Sequence, residues 1–127
     1  MNSWPHKIDH IGIRVSSLDA AITFYAAALA PIGIGLISQS DGHAAFGMGP
    51  MPYLTVRLAE GDVSAVHIAF VAEDRAQVDE FHAAALAAGG ADNGAPGLRP
   101  DYHPHYYGAF VLDPDGHNIE VVNHSPA

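Results

Sequence analysis

HIGIRVSSLDAAITFYAAAL (residues 10–29) and HIAFVAEDRAQVDEFHAAAL (residues 67–86) are one pattern written twice, 57 residues apart. Without a gap, His10 falls on His67, Ile11 on Ile68, Phe24 on Phe81, Ala26 to Ala28 on Ala83 to Ala85, and Leu29 on Leu86. Two alanine-rich helices resemble each other easily, but that does not account for a histidine opening both strands in the same register. The chain is therefore read as two copies of one supersecondary unit.

Each copy starts with an alternating segment. Over 8–15, Ile11, Ile13 and Val15 oppose His10, Gly12 and Arg14. Over 66–71, Val66, Ile68 and Phe70 oppose His67, Ala69 and Val71, the period of half-buried strands. A helix follows each. Ser16 or Ser17 caps the first, Leu18, Ile22, Tyr25 and Leu29 recur at helical spacing, and Pro31 stops it. Asp74 with Gln77 opens the second, which ends at Gly89-Gly90. Turn signals at Asp41-Gly42 and Asp113-Pro114-Asp115-Gly116 leave room for three short strands after each helix. The expectation is an α+β domain over 1–127. Its two βαβββ modules, about 6–60 and about 63–124, form curved mixed sheets with helices on the outer face and a concave cup for metal or ligand.

Composition narrows the function. With 127 residues and 49% of them apolar, one domain can bury a real core. Five basic residues against fourteen acidic ones give a net charge of -9, which disfavours nucleic acid and anionic membranes as partners. Arg14 and Arg99 are local positive points that can meet a small anion. The absence of cysteine removes disulfides, thiolate nucleophiles and cysteine-based zinc sites. The first residues carry neither a basic nor an apolar leader segment, and the apolar run 20–37 is broken by Pro31, Gly33 and Gly35, so a cytoplasmic protein is expected.

The last hairpin supplies chemistry. With 113–116 as its loop, Leu112 pairs with His117 and Ala109 lies opposite Glu120. Glu120 then shares the hollow face with Tyr107, while Ile119 and Val121 face the helix. A carboxylate between apolar neighbours on a strand is costly unless it is paired or binds a cation. His10, His67 and Glu120 together make a candidate site for a divalent metal ion (Fe, Mn, Ni, Co or Zn), with open positions for a substrate that chelates through two neighbouring oxygens. Tyr107 and His105 are the candidate acid–base groups. Arg99, Tyr102 and His103 belong to GLRPDYHPHYY (97–107), a loop that can arch over the hollow. No phosphate-binding glycine loop, nucleophile elbow or His-Glu-x-x-His motif is present.

DHIGIRV followed by FY, then VHIAF, then YYGAFVLDPDGHNIEVV, resemble the vicinal oxygen chelate superfamily along essentially the whole chain. That superfamily includes glyoxalase I, extradiol dioxygenases and bleomycin-resistance proteins. The resemblance implies ligands on the first and last strand of each module, here His10, His67 and Glu120, with the fourth family position near Leu54. Glyoxalase I-like isomerases use four ligands, with an acid at both last strands, and leucine cannot serve there. Extradiol dioxygenases keep His, His and Glu, so the ligand set leans toward them. The expected function is a metal-dependent enzyme, a lyase, isomerase or dioxygenase, acting on a small substrate. The alternative is a metal-free binding or resistance protein. A homodimer is implied, and the sequence leaves open whether one site draws on one chain or two.

Overall fold

The computed structural model describes residues 7–126; the first six residues, where no leader was read and where the first module was expected to begin, lie outside that range, as does Ala127. Its elements are β1 (Ile11–Val15), α1 (Leu18–Ala28), a 3₁₀ turn (Ala30–Ile32), β2 (Gly35–Ser40), β3 (His43–Met48), β4 (Met51–Leu58), β5 (His67–Val71), α2 (Arg75–Ala87), β6 (Ala91–Leu98), β7 (Tyr107–Leu112) and β8 (Asn118–Asn123). They form two βαβββ modules with the expected order. Among the described residues no helix is long and apolar enough to cross a membrane.

Each module is one four-stranded sheet, ordered β1-β4-β3-β2 and β5-β8-β7-β6. The first strand of each lies parallel to the last, and the other pairings are antiparallel. The helix starts follow local chemistry. The Ser17 side chain accepts from the Ala20 amide at 3.2 Å, and Asp74 accepts from the Gln77 amide at 2.9 Å. The Gln77 side chain answers by accepting from the Glu73 amide at 2.8 Å. Each satisfies donors that a helix start leaves orphaned.

Each helix covers one face of its own sheet, α1 over β3 and β4, α2 over β7, β6 and β8, and the two helices pack on each other. The two helix-bearing faces thereby share one core, in which Phe24, Tyr25, Phe46, Phe81, Leu54, Val56, Ile119 and Val121 are fully buried. Gly90 marks the closest approach: a β-carbon there would lie 2.6 Å from the Phe24 ring and 2.4 Å from Val111 Cγ1. The other face of each sheet turns away from this core.

The segment 113–117 fastens one module to the other. Asp113, almost fully buried, accepts from the Tyr25 hydroxyl at 2.5 Å and from the amides of Asp115 and His117. The Asp115 carboxylate accepts from the Ser16 amide at 2.9 Å. His117, fully buried, accepts the Val66 amide on Nδ1 at 3.1 Å and donates from Nε2 to the Arg14 carbonyl at 2.8 Å. These partners require the neutral tautomer protonated at Nε2.

The last hairpin corrects the expected register by one residue. Asp113 and His117 close the loop through a backbone hydrogen bond at 2.9 Å, with Gly116 at φ 87. His117 therefore belongs to the loop, Leu112 pairs with Asn118, and Phe110, not Ala109, lies opposite Glu120. A slip of one residue reverses every side chain of a strand. Here it reverses β7 and leaves Glu120 in place, because Ile119 and Val121 pin β8 to the core.

Candidate functional site

Glu120 is 2% exposed although it stands on the open face of its sheet. His67 lies on the strand next to it, two residues before Ala69, the parallel partner of Glu120, and so on the same face. This offset lets the imidazole reach across, and His67 Nε2 lies 2.9 Å from Glu120 Oε1. The Tyr106 hydroxyl donates to Glu120 Oε2. Both carboxylate oxygens thus have partners, but neither is a permanent cation. A nearly dry carboxylate held by one imidazole and one phenol is a group built to receive positive charge.

Space for a ligand comes from glycine. A β-carbon at Gly108 would lie 3.5 Å from Glu120 Oε2 and 3.3 Å from the Tyr106 ring, so its absence keeps the floor beside the carboxylate low. Phe110 walls the other side, its ring centroid 6.2 Å from that of His67. Removal of water from around its hydroxyl, then the bond to Glu120 and that carboxylate's charge, push the Tyr106 phenol up to about 12; Arg99 pulls the other way. Tyr106 therefore holds its proton at neutral pH.

The remaining predicted residues are placed as follows. Tyr107 is on the helix side, where its hydroxyl donates to Asp79 of α2 at 2.7 Å, a consequence of the corrected register. Tyr106 occupies the place beside Glu120 that the sequence reading gave to Tyr107. Strand β7 is apolar at nearly every position, so alternation could not fix its face; only the five-residue loop could have. His105 donates its amide to His103 Nδ1 and packs its ring on that of His103, without reaching Glu120. The loop 99–106 closes on itself through a backbone bond from the Arg99 amide to the Tyr106 carbonyl, and Tyr102 stacks edge-on against Tyr106.

His10 does not join the pair. It precedes β1 on the open face of the first sheet, and its Nδ1 lies 2.7 Å from Asp9 Oδ1. Among the described residues no three His, Asp or Glu side chains converge tightly enough to hold a metal ion. The position equivalent to Glu120 in the first module is also corrected. Gly12 pairs with Thr55 as Ala69 pairs with Glu120, so Thr55 holds the fourth family place, and Leu54 is core. A cavity of about 650 Å³ lies elsewhere, between the β1 and β5 ends, and is lined by Ile8, Ile11, Tyr53, Ile68 and Phe70 among others.

Two βαβββ modules with parallel first and last strands, and a polar cluster on the open face, invite comparison with known proteins. The sequence model described as Glyoxalase/Bleomycin resistance protein/Dioxygenase superfamily matches residues 7–121. The chain belongs to this superfamily. A glyoxalase/bleomycin resistance protein from Albidiferax ferrireducens T118 is 27% identical over 93% of this chain and 99% of its own, with a TM-score of 0.82. A glyoxalase/bleomycin resistance protein/dioxygenase family enzyme from Burkholderia phytofirmans PsJN shares the fold at 19% identity, covering 92% and 98% of the two chains, with a TM-score of 0.73. A lactoylglutathione lyase from Agrobacterium tumefaciens does so at 24% identity over 94% of each chain, with a TM-score of 0.69. None of the curated proteins matches the chain.

Proposed function

We propose that this superfamily member is a metal-dependent enzyme of the glyoxalase or dioxygenase type that takes a small substrate through two neighbouring oxygens. His67 and Glu120 are two of its metal ligands, and His10 of a second copy of the chain is the third. The observation that carries the reading is the nearly dry Glu120 carboxylate with an imidazole 2.9 Å away. A second copy is invoked because His10 and Glu120 stand on the open faces of different sheets, with the shared core between them.

The donor set of two imidazoles and one carboxylate suits Fe, Mn, Ni, Co or Zn, and such an ion would supply Lewis acidity or, if redox-active, oxygen chemistry. The chain's own residues do the rest. Glu120 and His67 fix the ligand's position, and Phe110 and Tyr106 wall it in. The Tyr106 hydroxyl, protonated at neutral pH, offers a proton beside the carboxylate.

Elemental analysis of protein purified without chelator tests the reading. Wild type retains metal, and His67→Ala and Glu120→Gln lose it; a wild type that takes up none at micromolar metal ends the proposal. Co-expression of His10→Ala with Glu120→Gln tests the shared site. Random pairing restores about a quarter of the metal sites if ligands come from two chains, and none if they come from one. Oxygen uptake with catechol, present only with Fe(II) or Mn(II), selects the dioxygenase branch.

A second reading, a metal-free binding protein, draws on one observation: both Glu120 oxygens already have partners and Asp9 engages His10. It requires that His10→Ala leave ligand affinity unchanged.

A further inference from the structure

Arg99 is the unspent cation of this face. Its guanidinium is fixed by two backbone carbonyls, Nη1 donating to Gly97 at 2.8 Å and Nη2 to Ala95 at 2.8 Å. Three of its five N–H groups have no acceptor among the described residues, and no carboxylate there forms an ion pair with it. Among the described residues none of the four arginines forms an ion pair with a carboxylate, so what sets Arg99 apart is its place beside the Glu120 face with its guanidinium already oriented.

Its position relates it to Glu120. The backbone of Arg99 pairs with that of Tyr106 at 2.7 Å, which puts the two residues opposite each other at the ends of β6 and β7. The guanidinium carbon lies 5.5 Å from the centre of the Phe110 ring. Phe110 is the cross-strand partner of Glu120, and its ring also neighbours that of His67. One aromatic ring therefore separates the His67–Glu120 pair from the fixed guanidinium. Gly97 and Gly108, paired across the two strands, keep the floor between them bare.

We propose that Arg99 selects the substrate: a small planar molecule whose far end carries a carboxylate, received by the guanidinium while the near end lies at His67 and Glu120 over Phe110. This rests on the reading of the Glu120 face as the ligand face. A carboxylate is the matching anion because a guanidinium held in plane by two carbonyls presents a flat, two-point donor edge. The same arginine discriminates against neutral analogues, which leave its donors with water alone.

The test is calorimetric binding of 3,4-dihydroxybenzoate and catechol, which differ by one carboxylate, to wild type, Arg99→Gln and Arg99→Lys. Each protein is measured loaded with Mn(II) and after chelator treatment. Wild type binds the carboxylated probe roughly ten- to a hundredfold more tightly, the scale of a charge-assisted contact. Arg99→Gln brings the ratio near one by weakening only that probe, and Arg99→Lys, which keeps the charge without the planar fork, recovers part of it. A wild-type ratio near one, a ratio unchanged in Arg99→Gln, or no binding of either probe at millimolar concentration overturns the proposal. A preference that persists without metal, in a protein that takes up none, retires the metal reading and leaves the assignment of Arg99 standing. Should Arg99→Gln not fold, the intermediate ratio of Arg99→Lys decides.

Discussion

Two tyrosine–aspartate hydrogen bonds, one buried and one exposed, allow the inter-module fastening to be measured against an internal control. Tyr25→Phe removes only a hydroxyl from a fully buried ring. Asp113 keeps two amide donors on Oδ1, but its Oδ2 loses the hydroxyl that served it. A hydrogen bond to a charged group in a dry site contributes about 1.5 to 3 kcal/mol, and the ring's packing is unchanged. For a domain of this size each kcal/mol corresponds to roughly 3 to 5 °C in Tm, so Tyr25→Phe lowers Tm by about 5 to 15 °C. Tyr107→Phe removes the same chemistry from the exposed Asp79 bond and changes stability by no more than about 0.5 kcal/mol. Calorimetric melts at pH 7 compare the two variants with wild type. If Tyr25→Phe melts within about 2 °C of wild type, or both variants fall equally, then segment 113–117 does not hold the modules together in the way described.

Two further outcomes follow from the open faces. Tyr106 has a folded pKa of about 12 against an ordinary 10.0, so the folded state keeps that proton longer. Its contribution to stability is complete below pH 10 and is lost as pH rises from 10 to about 12. The 295 nm absorbance titration of wild type minus Tyr106→Phe shows one phenol with a midpoint near 12; a difference centred on 10 contradicts the contact with Glu120. Thr55→Glu places an acid at the position equivalent to Glu120 and raises metal affinity about tenfold in competition with a coloured chelator, by adding a fourth ligand. Unchanged affinity places Thr55 away from the metal.

The repeat was readable because the same core has to be built twice. Ile11, Ile13 and Val15 and their counterparts at 68, 70 and 72 keep the period of two, Phe24 and Phe81 the helical contact, and Pro31 and Gly89 the stops. Glu120 was readable for a related reason: Ile119 and Val121 are so clearly core residues that the acid between them must face the other way. What escaped was whatever depended on loop length. YGAFVL has no polar alternation to orient it, so the one residue by which His117 extends the hairpin loop decided whether Tyr106 or Tyr107 met the carboxylate. The fastening through Asp113, Asp115 and His117 also escaped, since its partners Tyr25, Ser16 and Arg14 are about 90 to 100 residues away along the chain and no local pattern connects them.

The same distinction explains how two copies of one unit come to differ in chemistry. Residues facing the core are constrained by each other, because removing a buried methylene or adding one costs stability wherever it happens. Residues on the open faces meet no such constraint, so Thr55 and Glu120, or Gly12 and Ala69, can diverge while their strands keep identical pairing. A carboxylate on the open face is tolerated only where something answers its charge. The second module supplies His67, Tyr106 and, one ring away, Arg99, whereas the first carries Thr55, between Tyr53 and Arg57, at the position equivalent to Glu120. Folding therefore keeps the two modules alike and leaves their open faces free to differ, and under the proposed metal site the second module would draw its one further histidine from the first module of a second copy.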